Sequence, residues 1–127
     1  MLEFFVVGIG GFIGSCMRFA FTKATSGMSG VFPFGTLLSN VLAGLLIGFF
    51  IGLEQQSVTF STKTKLFITT GLLGGLSTFS TFSLETILLF ESGKYFSAAG
   101  NIGLNLALSL LGVVCGIVLA KLMVKKA

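Results

Sequence analysis

Two phenylalanines three residues apart, Phe79 and Phe82, stand among the hydroxyls of Ser77, Thr78, Ser80, Thr81 and Ser83, deep inside an apolar stretch. On a helix this spacing puts both rings on one face. A ring carries positive charge at its edge and negative charge on its face. Ring edges and hydroxyls can therefore meet an anion without holding it by a full charge, as rapid permeation requires. The same rings also suit packing, the commoner use of Phe in a membrane helix. Gly71, Gly74 and Gly75 precede them and weaken the helix. Non-helical backbone at membrane depth survives only where protein buries it or where it lines a cavity. We therefore expect a broken helix near 74–78, with carbonyls from Gly74 to Ser77 suited to a hard cation such as sodium. A glycine kink that only accommodates a neighbouring helix is the plainer alternative.

Other polar residues at membrane depth extend the pattern. Thr36, Asn40, Gly44, Gly48 and Gly52 recur every four residues, and Asn40 brings two amide hydrogens and an oxygen that need partners. Asn101, Asn105 and Ser109 repeat that spacing later in the chain. Asparagine facing lipid is costly, so these point toward other helices or water. Small residues four apart also occur at Gly10 and Gly14, Gly11 and Ser15, and Gly112, Gly116 and Ala120. Such stripes let helix backbones approach closely in lipid, and packing is their first reading. Arg18 and Glu85 are the charges inside the apolar segments. Arg18 fits either snorkelling to the interface or a functional role, and Glu85 either a bond to a neighbour or a functional role.

These residues need helices to carry them, and composition says which kind. The chain has 127 residues, 54% hydrophobic and 9% charged, with no His, Asp or Trp. Soluble domains carry about a quarter charged residues, so this is a membrane protein. We expect an all-α fold of four spans at about 4–22, 34–53, 66–90 and 96–121, separated by polar stretches at 23–30, 54–65 and 91–94. No basic region precedes the first apolar run, which reads as a retained helix. Pro33 sits where the first turn of the second helix tolerates it. Cys16 and Cys115 fall inside apolar segments and read as buried free thiols acting as small hydrophobes. Without His or Asp, a transition-metal site or a His-based triad is excluded within one chain, and an enzyme is disfavoured.

With four spans, Lys63, Lys65, Lys121, Lys125 and Lys126 share one side of the membrane. Arg18, Lys23 and Lys94 lie on the other, and the two groups account for all eight basic residues. Cytoplasmic loops normally show a clear Lys/Arg excess. So weak a bias suits either insertion in both directions, with an antiparallel homodimer, or termini-inside topology.

Three stretches together, GGFIGSCMRF from Gly10, GTLLSN from Gly35 and GLLGGLSTFSTF from Gly71, resemble the signatures of the small fluoride channels, the Fluc or CrcB family. The order, spacing, length and four-segment plan agree over essentially the whole chain. The resemblance implies a dual-topology antiparallel homodimer in the bacterial cytoplasmic membrane. It implies two pores that export fluoride passively and keep its cytoplasmic level low. By the same resemblance, Phe79 and Phe82 offer ring edges to fluoride and Asn40 orders the pore. Arg18 stands near the aqueous vestibule, Ser80, Thr81 and Ser83 form a hydroxyl region, and Glu85 lies beyond it. The backbone carbonyls of Gly74 and Ser77 are expected to hold a structural sodium ion at the dimer centre. Asn105 is expected to join the pore lining from the fourth helix.

The chain departs from that family pattern in places. Ser77 stands where Thr is usual, Ser39 where Val is common and Phe19 where Tyr is common. Asn101 and Asn105 occupy positions where Tyr and Ser are frequent, in an alignment resting on Gly116. Two other classes remain in view. A proton-coupled small multidrug exporter needs a carboxylate deep in the first helix, whereas Glu3 lies at its edge. A non-transporting membrane subunit would use the glycine stripes only to bind partners. Nothing in the chain suggests nucleic acid.

Overall fold

The computed structural model describes every residue except Ser29, which falls in the expected polar stretch 23–30. The described chain is helical: α1 is Leu2–Thr25, α2 is Phe34–Gln55, α3 covers residues 62–76, α4 is Phe79–Glu91 and α5 is Tyr95–Lys126. Helices α3 and α4 form one interrupted span, Thr62–Glu91. The four spans have 24, 22, 30 and 32 residues. At about 1.5 Å rise per residue, even the shortest clears a hydrocarbon core of about 30 Å.

The helices outrun their apolar windows. α1 continues to Thr25, α2 to Gln55 and α5 to Lys126, while α3 begins at Thr62. Lysines at the ends of α1, α3 and α5 can lay their stems along the apolar surface while their charges reach water. Ser61 starts α3 by accepting a hydrogen bond from the Thr64 amide, a normal N-cap. Helix α4 stops at a Schellman motif, in which the Lys94 amide bonds Leu89 O and the Gly93 amide bonds Phe90 O. Gly93 takes φ +76° there. Helix α2 ends in the same way, with Val58 bonded to Leu53 O and Ser57 to Glu54 O. In this turn Ser57 holds φ 68°, a conformation that favours glycine.

Two tight helix pairs build the bundle, α2 along α5 and α1 along α3, with α1 also touching α2 and α4 lying on α5. The small-residue stripes make both pairs. A methyl group at Gly48 would overlap the Val113 carbonyl of α5, and one at Gly14 the Leu72 carbonyl of α3. Ala43, Leu73 and Leu76 form the buried apolar centre. Cys16 and Cys115 are free thiols, but both are exposed on the bundle surface, so they face outward and not into the core as expected. Helix periodicity alone does not say which apolar face meets lipid.

Candidate functional site

The third span breaks at Ser77 and Thr78, both in extended conformation (ψ 154° and 123°). Neither is a glycine. The chain stays helical through Gly71, Gly74 and Gly75, in a wider π-helical form over Leu66–Leu73. Gly71 and Gly75 serve close approach to α1: a methyl on Gly71 would lie 2.7 Å from Val7 O, and one on Gly75 2.6 Å from Gly11 O. The break itself is made by hydroxyls. Ser77 Oγ donates back to Leu73 O at 2.9 Å and closes α3. Thr78 Oγ1 accepts from the Thr81 amide at 3.2 Å and opens α4 as its N-cap.

An interruption at membrane depth leaves main-chain groups without helical partners, and each must be satisfied. Asn40 of α2 satisfies Thr78 on both sides. Its Oδ1 accepts from the Thr78 amide at 2.7 Å, and its Nδ2 donates to Thr78 O at 3.2 Å. Arg18, half-buried on α1, donates from Nε to Gly75 O at 3.1 Å. That guanidinium sits at the carbonyl end of α3, where a positive charge suits the helix dipole.

The second amide hydrogen of Asn40 goes to Asn105 Oδ1 at 2.9 Å. Asn105 Nδ2 then donates to both O and Oδ1 of Asn101, each at 2.9 Å. Asn101 Nδ2 donates to Thr86 Oγ1 at 2.9 Å, and Thr86 Oγ1 donates to Phe82 O at 2.8 Å. Thr86, Asn101 and Asn105 are all buried. Both amide hydrogens of Asn40, and the Nδ2 of Asn105, are thus committed to protein oxygens.

Beside this array lies a groove of about 450 Å³, open on one side and free of charged side chains. Asn40, Gly74, Ser77, Thr78, Phe79, Phe82 and Asn105 line it. The two rings stand 5.4 Å apart, tilted by 55°. Phe82 is buried, whereas Phe79 is 73% exposed on the open side. The break thus brings together six of the ten residues singled out from the sequence for pore or cation: Asn40, Gly74, Ser77, Phe79, Phe82 and Asn105. Ser80, Thr81 and Ser83 are not among the groove's lining, and neither is Arg18. Ser83 Oγ donates to Phe79 O at 2.8 Å, and Thr81 Oγ1 accepts from Thr78 Oγ1 at 3.1 Å.

Glu85 lies one turn further along α4. Its Oε1 accepts from Thr36 Oγ1 at 2.7 Å, and its Oε2 is buried without a partner among the described residues. The same holds for Ser109 Oγ, in the wall of the main groove. Sequence reasoning missed Thr86 entirely. Its one signal was a hydroxyl four residues after Phe82, which an isolated threonine shares with every back-bonded helix position. Among the described residues no three His, Cys, Asp or Glu side chains gather in a way that could hold a metal. A cation here would need main-chain oxygens.

Four apolar spans, one of them interrupted around an uncharged groove, define a multi-span membrane protein with a broken-helix site of the kind that holds ions and substrates in transporters. The family model described as CrcB-like protein, Camphor Resistance (CrcB), matches residues 5–117. The chain is 47% identical over 118 residues to a protein of Clostridium novyi, covering 92% of each chain. It is 46% identical over 119 residues to one of Clostridium perfringens, covering 93% of each. A protein of Elusimicrobium minutum is 44% identical over 122 residues, covering 94% of each. All three relatives are named fluoride-specific ion channel FluC. The chain belongs to the CrcB family.

Proposed function

We propose that this chain is a fluoride-selective channel that lets the ion leave the cytoplasm passively, and that two antiparallel copies form the working unit in the bacterial cytoplasmic membrane. The observation that carries the reading is the groove at the break. It is uncharged, lined by two tilted rings, and kept open by a backbone that Asn40 holds out of helix. A pathway of ring edges and neutral dipoles attracts a small hard anion yet releases it, which a lysine or arginine at the centre would not. The relatives named as fluoride-specific channels support the choice of ion.

A second copy suits the open side of the groove, where Phe79 stands exposed. An inverted partner would complete two pores, each lined by both chains. The central cation rests on similar reasoning. The turn that would pair the Gly74 carbonyl has ended, because Ser77 N bonds Leu73 O and Thr78 N bonds Asn40. Gly74 is exposed, and a methyl placed on it would meet only Thr69 O, at 3.6 Å. The carbonyls of Gly74 and Ser77 from two chains would offer four hard oxygens, a donor set suited to sodium. There the ion would supply fixed positive charge and lock the two breaks together.

Purified protein in liposomes loaded with potassium fluoride tests the transport mode. Fluoride should leave down its own gradient with the proton gradient collapsed by an uncoupler. Efflux that requires a proton gradient would replace the channel reading with a coupled exporter.

A further inference from the structure

From the hydrogen-bond geometry we infer that Asn101 and Thr86 are positioning residues for the pore, acting through Asn105 and Asn40 on the first turn of α4. The inference rests on the channel reading and adds residues to it.

The array has a direction that its own chemistry dictates. The Thr78 amide can only donate and the Thr78 carbonyl can only accept, so Asn40 must turn its oxygen to one and its nitrogen to the other. That leaves Asn40 one hydrogen, which forces Asn105 to present its oxygen. Asn105 then has only its nitrogen for Asn101. Asn101 in turn presents its nitrogen to Thr86, whose single proton goes to Phe82 O. Reversing any amide would set nitrogen against nitrogen or oxygen against oxygen along the chain.

The two ends of the array are four residues apart in sequence. It starts on the main chain of Thr78 and finishes on the main chain of Phe82, after passing through α2 and α5. The first turn of α4 is thereby tied at both ends to two other helices, and Phe79 and Phe82 ride on that turn. Hydrogen bonds inside a membrane are individually modest, yet a fully satisfied buried network specifies one arrangement. Burial fits this role, since Asn101 is 0% and Asn105 4% exposed. With both hydrogens of Asn40 committed, its task is to hold the backbone, and the rings are left to face the ion.

The test measures fluoride and chloride efflux from liposomes for the wild type, Thr86→Val, Thr86→Ser and Asn101→Leu at equal amounts of folded protein. Side-chain amide exchange is followed by NMR on the same samples. Thr86→Val breaks the links to Asn101 and to Phe82 O, Asn101→Leu breaks those to Thr86 and Asn105, and each should lower the fluoride-to-chloride ratio about tenfold. Thr86→Ser should restore the wild-type ratio, and Thr86→Val should speed exchange at Asn101 and Asn105. If the variants lose fluoride flux with the ratio unchanged, the residues merely support folding and the inference is overturned. It is equally overturned if Thr86→Ser behaves like Thr86→Val. Should the wild type conduct no fluoride, the channel reading fails first. Unprotected Asn101 and Asn105 amides in the wild type would then remove the array independently.

Discussion

Replacing Asn40 by Asp changes one NH2 group into an oxygen, and the structure makes that small change severe. The new side chain can still accept from the Thr78 amide, now held at 2.7 Å. Its other oxygen would face Thr78 O and Asn105 Oδ1, which stand 3.2 and 2.9 Å from the present nitrogen. Two hydrogen bonds become two repulsions. At about 0.6 kcal/mol per bond, the mean for side-chain bonds in membranes, the lost attraction alone is about 1.2 kcal/mol. The added charge acts on the ion itself. A carboxylate about 4 Å from a passing anion raises its energy by about 1 kcal/mol with aqueous screening and by about 4 kcal/mol at an effective dielectric of 20. Fluoride flux should therefore fall between about sixfold and about a thousandfold. A fluoride electrode following efflux from liposomes measures this directly, with thermal unfolding of the same preparation as a check on folding. Flux within about twofold of wild type, equivalent to about 0.4 kcal/mol, would refute both the clamp and its place beside the ion path.

Further consequences concern the rings, the packing and the turns. Phe79→Ile or Phe82→Ile removes a ring edge from the groove and should slow fluoride efflux about tenfold or more while the protein still folds; unchanged flux in both would refute the ring-edge role. Gly48→Ala drives a methyl into the Val113 carbonyl of α5 and should cost about 1–3 kcal/mol in detergent unfolding. Ser57→Gly relieves a left-handed residue in the turn after α2 and should raise stability by about 1 kcal/mol without changing flux.

Much of this was legible in the residues. Composition and apolar run length gave the four spans, because a bilayer imposes a length on any chain that crosses it. The four-residue spacing of Gly44 and Gly48, and of Gly112 and Gly116, pointed to the α2–α5 seam, since only close backbone approach needs such a stripe. The three-residue step from Phe79 to Phe82 brought the rings together.

The agent of the break was harder to read. Glycine weakens a helix and also admits a neighbour, and a sequence does not separate the two uses. Here Gly71 and Gly75 admit α1, while Ser77 and Thr78 stop and restart the helix. The partners of Arg18 and Asn101 were also hidden. Both bonds join different spans, and pairing across helices depends on rotations that local pattern does not fix. Thr86 escaped notice for the same reason. Cys16 and Cys115 were expected inside, and helical apolar runs look alike on their core and lipid faces.

The central claim is that uncharged dipoles and ring edges at the interrupted third span pass the smallest halide and discriminate against larger ones. Its most direct test is the initial rate of fluoride efflux against chloride efflux from liposomes holding the purified chain, at matched gradients and potential. The account predicts rapid fluoride loss with chloride far slower. Equal rates for the two ions would contradict it.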